Sequence, residues 1–506
     1  MPFKSRAAAS AAPLAASAVR VVAPATRLKR VALAVVVSLG LAGCASTAIN
    51  RNFNDVQELS RKSIGADVKW LTTDEQRRQA QADVDALLAQ PLDGDSAVRI
   101  SLAYSPALQA MLYEAAANSA SATQSARLPN PVFAFERLAS NVGGLQELEI
   151  TRALSVSLLD LLLLPARLRL ADYQQQAARI SLAASVVQTA SEARQAWVNA
   201  VAAQQSAQYA QQVKATADAS AEIARRMQSV GNFSKLQRAR EQAFAADAVT
   251  LLARAMQGAR ASREALVRTL GLNDAQAAAL KLPDRLPDLP ASIRDESTVA
   301  QAAIGSRLDV QLSRANLDFI AREQGLTNVT SYVNAFEIGV KEDKMTGQPR
   351  QRGYDLSVPL PIFDFGDAAR ARARSTYMAA FYRAAQFTVE ASSQVRDTYG
   401  AYRTAYDISK HYRDEIVPLR KSIAEENVLR YNGMLIGVFE LLADSREQVG
   451  SVIQAIDAQR DFWLADAALQ SALIGQPMRS MSMDAVGSAM SGASVERSRS
   501  NTSTNR

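Results

Sequence analysis

The chain of 506 residues contains a single cysteine, Cys44, and a single histidine, His411. This scarcity excludes disulfide frameworks, paired redox cysteines and zinc sites built from cysteine and histidine. A hydrolase or metalloenzyme would also lack its usual nucleophile and base, because Cys44 has another predicted role. We therefore expect no catalytic residue, no metal ion and no cofactor.

Aromatic residues make up only 6% of the chain, and glycine occupies only 22 positions. This composition favours long alanine-rich helices over compact sandwiches. The net charge of +7 would indicate a nucleic-acid partner if it were spread over the folded part. Residues 1–43, however, hold six basic residues and no acidic one, so the rest of the chain is nearly neutral. We expect no nucleic-acid partner.

Residues 1–43 have the layout of a bacterial signal peptide. Basic residues precede a run of about thirteen mostly apolar residues that ends at Gly43. The run is too short to span a bilayer. We therefore expect residues 1–43 to be removed from the mature protein.

The four residues Leu41-Ala42-Gly43-Cys44 resemble a bacterial lipobox. The resemblance implies that Cys44 becomes the first residue of the mature protein and carries acyl chains such as palmitate. The alternative is a chance apolar cysteine beside a signal peptide. Ala45, and not aspartate, follows Cys44, and in Gram-negative lipoproteins this favours transfer to the outer membrane. These residues therefore predict lipid anchoring at the outer membrane.

The chain contains an internal duplication, with most matching positions 202 residues apart. The matches are Leu154-Ser155-Val156 with Leu356-Ser357-Val358, Arg194 with Arg396, Trp197 with Tyr399, and Gly231 with Gly433. Ala134-Phe135-Glu136 returns as Ala335-Phe336-Glu337, shifted by 201. An offset that stays nearly constant from residue 134 to residue 433 indicates a duplicated structural unit.

The duplication and the composition divide the chain into six segments. The spaced prolines of Leu282–Pro290 break any helix and predict an extended linker between the two copies. The end of the chain is poor in large apolar residues and lacks periodicity, which indicates disorder. We predict a signal peptide (1–43), an N-terminal anchor segment (44–95), a first repeat (96–282), a linker (283–296), a second repeat (297–476) and a disordered tail (477–506).

Long helices dominate each repeat. Residues 166–230 contain neither proline nor glycine and predict one continuous helix, which a compact domain could not hold unless other long helices lay beside it. A second helix is predicted from about Ser234 to Leu270, where Gly271 ends it. The second repeat follows the same order, and we expect Pro418 to kink or interrupt its first long helix.

Two strand-like runs precede the long helices in each repeat. We predict strands at Pro131–Leu138, Glu147–Leu158, Thr330–Glu342 and Tyr354–Leu360, with loops at Ser140–Gln146 and Lys341–Gly353. Four strands cannot close a membrane barrel, and lipid does not tolerate an open sheet edge. Three copies would supply twelve strands and no edge.

These features resemble the TolC family of outer-membrane channels from about residue 84 to residue 476. The resemblance is carried by four stretches: Ala86-Leu87-Leu88-Ala89-Gln90-Pro91-Leu92, Arg127-Leu128-Pro129-Asn130-Pro131, Leu360-Pro361-Ile362-Phe363-Asp364-Phe365-Gly366 and Arg430-Tyr431-Asn432-Gly433-Met434. It implies a mainly helical fold with a transmembrane β-barrel part, in which a homotrimer forms a 12-stranded barrel and a periplasmic α-helical barrel. It also implies a passive efflux duct that works with a periplasmic adaptor and an inner-membrane pump.

The resemblance implies two functional sites. The turns at Gly231-Asn232 and Gly433-Met434 are expected at the periplasmic tip, where the adaptor would dock. Glu440 and Asp444 lie four residues apart, where related channels have aspartates that line a constriction, and three copies would form a carboxylate ring. Two solvated residues on a helix exterior, or a salt bridge between Glu440 and Arg238, are the alternatives.

Three other features have less specific interpretations. His411 and Glu415 have the spacing of metal ligands but lie on an ordinary charged helix face. Four methionines in the tail could bind Cu(I), although a flexible tail without such a role is the simpler explanation: Met478, Met481, Met483 and Met490. A structural or adhesive coiled-coil lipoprotein is the alternative function, and it would leave the predicted strands unexplained.

Overall fold

A computed structural model describes residues 44–142, 145–296, 307–332 and 335–475. The predicted signal peptide and tail, including the four tail methionines, lie outside the described residues. The chain divides into two units, residues 1–50 and 51–506. The predicted mainly helical fold class is confirmed.

Four helices begin the described chain: α1 (Cys44–Ile64), α2 (Asp74–Leu88), α3 (Gly94–Tyr104) and α4 (Pro106–Ser125). Thr73 and Gln76 form a capping box at the start of α2, and the carboxylate of Asp93 accepts the backbone N–H of Ser96 at the start of α3. Pro106 occupies the first turn of α4, where its missing donor costs nothing.

A four-stranded antiparallel sheet follows, with the order β1-β2-β3-β4. Its strands are β1 (Val132–Val142), β2 (Leu145–Ser157), β3 (Glu337–Met345) and β4 (Gln351–Ser357). Each predicted strand has a counterpart. The strands also extend into both predicted loops, where charged cross-strand partners such as Glu342 and Arg352 stabilise the pairing.

Two further strand boundaries predicted from the alternating pattern, at the other ends of β3 and β4, are also wrong. The third strand begins at Glu337, not Thr330, because Thr330 ends the preceding helix. The carbonyl of Phe336, directly before the strand, accepts the N–H groups of Leu158 and Leu159 instead of joining the ladder. The fourth strand ends at Ser357, not Leu360, since Pro359 and Pro361 cannot donate backbone hydrogen bonds.

The sheet continues into the long helices of the first repeat: α5 (Leu158–Ser229), α6 (Lys235–Leu270) and the short α7 (Asp274–Ala279). Helix α5 has 72 residues and is about 110 Å long. It begins eight residues before its predicted start because the Ser157 hydroxyl accepts the N–H of Asp160, so that Pro165 lies in its second turn. Gly271 ends α6 with φ +71°, as predicted.

The second repeat contains α8 (Leu308–Thr330), α9 (Asp367–His411), α10 (Val417–Asn432) and α11 (Val438–Ile474). A π-helical turn at Tyr412–Ile416 separates α9 from α10. It lies directly before Pro418, which lacks the N–H that an unbroken helix requires. The predicted interruption at Pro418 is confirmed.

The hydrophobic core lies between the helices of both repeats. Trp197 of α5 lies in a core cluster with buried residues of α3, α6 and α8, while Tyr399 of α9 lies in a second cluster that contains Phe462 of α11. These two buried aromatic residues are one of the pairs found 202 residues apart in the sequence. The duplication therefore places equivalent residues in the core of each repeat.

The linker residues 283–295 contain no helix and are held by side chains of the second repeat. Carbonyl oxygens of the linker accept hydrogen bonds from the hydroxyls of Tyr399 (3.0 Å) and Tyr406 (3.1 Å) and from the indole of Trp463 (3.0 Å). None of the helices described here combines the length and the apolar character that crossing a lipid bilayer requires.

Candidate functional site

The sheet has two chemically different faces. Cross-strand pairing aligns Phe133, Leu154, Val340 and Tyr354 in one row and Val156, Ile338 and Leu356 in the next. All seven side chains are exposed, and Tyr354 is 83% accessible. We call the side that carries these rows the apolar face.

The opposite side, which we call the polar face, is acidic. It carries six carboxylates and one lysine: Glu136, Glu147, Glu149, Glu337, Asp343, Asp355 and Lys341. The hydroxyl of Thr151 donates to Asp343 (2.7 Å), and Lys341 lies 3.2 Å from the same carboxylate. At Gly339 the side chain of Asp355 fills the space that a Cβ would need. A polar, negatively charged surface therefore runs along this face.

Both edges of the sheet lack a partner strand in the described part of the chain. Strand β1 pairs only with β2, and β4 pairs only with β3. Each outer edge therefore presents unpaired backbone N–H and C=O groups, which readily accept another strand.

The first helical turn, between α5 and α6, contains the predicted tip residues Gly231 and Asn232. Gly231 adopts φ +82°, and the N–H of Asn232 donates to the carbonyl of Met227 at 2.9 Å. Ser234 and Gln237 then form a capping box that starts α6. The turn is thus built from a glycine-dependent C-cap followed directly by an N-cap.

The second helical turn, between α10 and α11, differs from the first by one residue. Gly433 has an ordinary φ of −78°, and the left-handed residue is Met434, with φ 60°. The N–H of Leu435 closes the turn by donating to the carbonyl of Arg430 at 2.8 Å. Met434 is 93% exposed and Leu435 is 78% exposed. A strained backbone position therefore presents two apolar side chains to solvent.

The two turns lie at the same end of the helices, because a buried ion pair joins α6 to α11 near both. Arg446 Nη2 donates to Glu241 Oε1 at 2.6 Å, and the Ser220 hydroxyl of α5 donates to Glu241 Oε2 at 2.7 Å. Glu241 is completely buried, and the guanidinium of Arg446 also stacks on Phe244 at 4.6 Å. Glu241 lies ten residues after Gly231, and Arg446 twelve residues after Met434.

The predicted constriction residues differ in their surroundings. Glu440 is exposed in the first turn of α11, whereas Asp444, one turn later, accepts a hydrogen bond from the side-chain amide of Asn427 on α10. Arg238 donates to Gln228 (3.0 Å) and not to Glu440. Asp444 therefore links α10 to α11, and Glu440 is the carboxylate that faces solvent.

A cleft of about 760 Å³ lies between the linker and the long helices. Asp466 at its edge is buried, and this burial raises the pKa of its carboxyl, although Arg294 at 3.1 Å opposes the shift. Gln470 donates to the same carboxylate at 2.6 Å. These contacts fix the linker against α11.

The structure also places the single cysteine and the single histidine of the chain. Cys44 is the first residue of α1. His411 Nδ1 lies 3.2 Å from Glu415 in an exposed pair that ends α9. Within the described ranges, no three His, Cys, Asp or Glu side chains are grouped as a metal site requires.

No model of a known protein family matches the chain, and no curated protein matches its sequence. Solved structures do match its fold. The Campylobacter jejuni CmeC outer membrane channel has a TM-score of 0.65 and 15% identity over 81% of this chain and 90% of CmeC. The Vibrio cholerae outer membrane protein VceC has a TM-score of 0.63 and 15% identity over 79% of this chain and 98% of VceC.

A third match is the open state of the Neisseria gonorrhoeae MtrE outer membrane channel, with a TM-score of 0.61 and 17% identity over 75% of this chain and 88% of MtrE. At such identities the likeness establishes the fold. The resemblance to the TolC family that the sequence motifs indicate is therefore confirmed at the level of the fold.

Proposed function

We propose that this chain, which has the fold of TolC-like outer-membrane channels, is the outer-membrane component of an efflux system. Three copies would form a passive duct, with no catalytic activity of its own, across the outer membrane of a Gram-negative bacterium. The observation that carries this proposal is the sheet with one apolar face, one acidic face and two open edges.

The unpaired strands at the two edges of the sheet determine how it could cross a membrane. Lipid offers no hydrogen bonds, so every backbone group of a spanning sheet must find a protein partner. Edge β1 of one copy can pair with edge β4 of the next, and three copies then close a ring of twelve strands. In such a ring the apolar face meets lipid, and the acidic face lines a water-filled lumen. Transport through that lumen requires no catalytic group.

The long helices would extend the duct into the periplasm. Helix α5 follows β2 without a loop, so its far end lies about 110 Å from the sheet. We propose that acyl chains on Cys44 add a second membrane attachment, and that an adaptor and an inner-membrane pump supply the substrate at the helical end. Selection of the substrate would then belong to the pump.

We propose that the adaptor docks on the two turns at that end. Exposed apolar side chains surround them: Val230 (70%), Leu236 (62%), Met434 (93%) and Leu435 (78%). A left-handed methionine costs about 1–2 kcal/mol relative to glycine, so the backbone at Met434 is strained. Burying its side chain against a partner would offset that cost.

Replacing Met434 and Leu435 together by serine is expected to weaken adaptor binding at least about tenfold, because two buried apolar anchors are lost. Binding of the purified channel to its adaptor, measured by surface plasmon resonance, checks this. Val249→Ser on the exposed side of α6 is the matched control, since Val249 is 49% exposed but lies away from both turns. Equal affinity for all three proteins would contradict the docking site.

We propose that Glu440 contributes to a constriction near the same end. Three copies of this exposed carboxylate would favour cations. Asp444 would support the site through its bond to Asn427, which keeps α10 and α11 together. Glu440→Gln would then lower cation selectivity without affecting assembly.

The proposed function is tested by incorporating the purified, acylated protein into planar bilayers. We expect heat-resistant trimers and discrete single-channel currents, with a reversal potential in a salt gradient that shifts toward anions in Glu440→Gln. A stable monomer without conductance would overturn the proposal. It would favour the structural or adhesive coiled-coil lipoprotein, which needs neither the sheet edges nor a lumen.

A further inference from the structure

A row of arginines crosses the apolar face near the hairpin end of the sheet. Arg152 of β2, Glu342 of β3 and Arg352 of β4 are direct cross-strand partners. Glu342 lies 3.6 Å from Arg152, 3.4 Å from Arg350 and 2.9 Å from Arg352. One carboxylate therefore faces three guanidinium groups.

The excess of positive charge on this face continues toward the hairpins. Arg137 and Lys344 occupy the next row of the same face, on either side of Ile150. Within the four described strands, Glu342 is the sole acidic residue of this face, whereas the polar face carries six. We call the five cations with Glu342 the basic row. Its excess positive charge has no counter-charge on its own side of the sheet.

The position of the basic row indicates what could supply that counter-charge. On one side lie the apolar rows that lead to the helices, and on the other side lie the hairpins. Phe135 is in register with Arg152, and the exposed Tyr354 is one row away. Aromatic residues between an apolar band and a charged band are typical of the boundary between acyl chains and headgroups.

We propose that the basic row binds the phosphate groups of an anionic lipid headgroup at the outer surface of the membrane. This inference rests on the proposed function, which places the apolar face in lipid and the hairpins outside. Arginine suits the site because its planar fork bonds two phosphate oxygens at once. Glu342 keeps the three arginines in place, and the lipid phosphate supplies the charge that one carboxylate cannot.

The test uses lipid A as the probe and dephosphorylated lipid A, which has the same acyl chains, as its matched control. Native mass spectrometry of the purified trimer in detergent counts the bound lipids. The wild type is expected to prefer the phosphorylated form, and Arg350→Gln with Arg352→Gln is expected to reduce that preference about tenfold or more. Lys341→Gln removes a cation from the opposite face of β3 and is expected to leave the preference unchanged.

Glu342→Gln is expected to change lipid A binding in the direction opposite to the arginine variants. This variant therefore separates lipid recognition by the basic row from a purely structural role. Removing the only carboxylate raises the positive charge of the row, so binding of lipid A should become tighter. If the row serves only to hold the strands together, this variant will lose trimer stability and gain no lipid. Equal binding of both lipid forms by the wild type, or saturation of the site by inorganic phosphate alone, would overturn the proposal.

Single-channel conductance of the same preparations separates this inference from the proposed function. A trimer that conducts but does not discriminate between the two lipids would refute the headgroup site alone. A monomer that does not conduct would refute the duct, and the headgroup site with it.

Discussion

Replacing Arg446 by methionine is expected to destabilise the protein by about 3 kcal/mol, because it leaves the buried carboxylate of Glu241 without its cation. Glu241 is fully buried, and its other partner is the neutral hydroxyl of Ser220. The Arg446 side chain is 29% exposed, so solvent weakens part of the interaction and the lower end of the usual range applies. Thermal unfolding in detergent, followed by circular dichroism, measures the loss.

Arg226→Met is the matched control for this substitution. Arg226 also lies near the helical turns and also pairs with a glutamate, Glu222, but its side chain is 76% exposed. Glu222 is shared with Arg225, and these two cations lower the pKa of its carboxyl to about 2. We expect this variant to unfold close to the wild-type temperature. Equal destabilisation by the two substitutions would show that burial of Glu241 is not what matters.

The double variant Glu241→Gln with Arg446→Met separates a stranded charge from lost packing. A neutral glutamine can keep the hydrogen bond from Ser220 without needing a cation. Much of the stability lost in Arg446→Met should therefore return. If none returns, the lost stacking of the Arg446 guanidinium on Phe244 accounts for the effect.

Replacing Gly366 by alanine is expected to cost about 3 kcal/mol or more, because two penalties combine at this corner between β4 and α9. The residue has φ +71°, and a side chain in the left-handed region costs about 1–2 kcal/mol. The new Cβ would also overlap the carbonyl oxygen of Ser331 and lie 2.6 Å from its Cβ, and overpacking of this kind typically costs about 1–3 kcal/mol. The yield and melting temperature of the purified protein measure the effect.

Gly347→Ala provides the matched control. Gly347 has nearly the same φ as Gly366, but no residue occupies the place that Ser331 takes beside Gly366. Gly347 has φ +77°, and no atom lies within 4 Å of the position that its Cβ would occupy. It should therefore show only the conformational cost of about 1–2 kcal/mol. The difference between the two variants isolates the contact with Ser331. Indistinguishable melting temperatures would contradict the close approach at Gly366.

The sequence predicts the long helices well because their signals are local. Gly231, Gly271 and the capping residues Ser234 and Gln237 act within a few residues of the turns that they form. The strand ends are predicted less accurately. The carbonyl of Phe336 is used by Leu158, which lies far away in the sequence. No local pattern reports such a contact.

Both residues that the sequence predicts for the second turn of the helical tip, Gly433 and Met434, lie in that turn. A glycine next to a helix end favours the left-handed position, so Gly433 is the natural candidate, but Met434 occupies it. The sequence pattern does not identify Glu241 as a buried residue. It follows Arg238 and Arg240 on a charged stretch that suggests a solvated face, but Ser220 of α5 and Arg446 of α11 are its partners in the folded chain.

Strand β2 continues directly into α5, so a rotation where the helix leaves the sheet also moves the far end of the helix. For a rigid arm of about 110 Å, one degree of rotation at the root displaces the far end by about 2 Å. Small rotations at the sheet can therefore become displacements comparable to an atomic diameter at the turn around Gly231. In the proposed duct, changes of the aperture at the helical end would therefore need no rearrangement of the sheet.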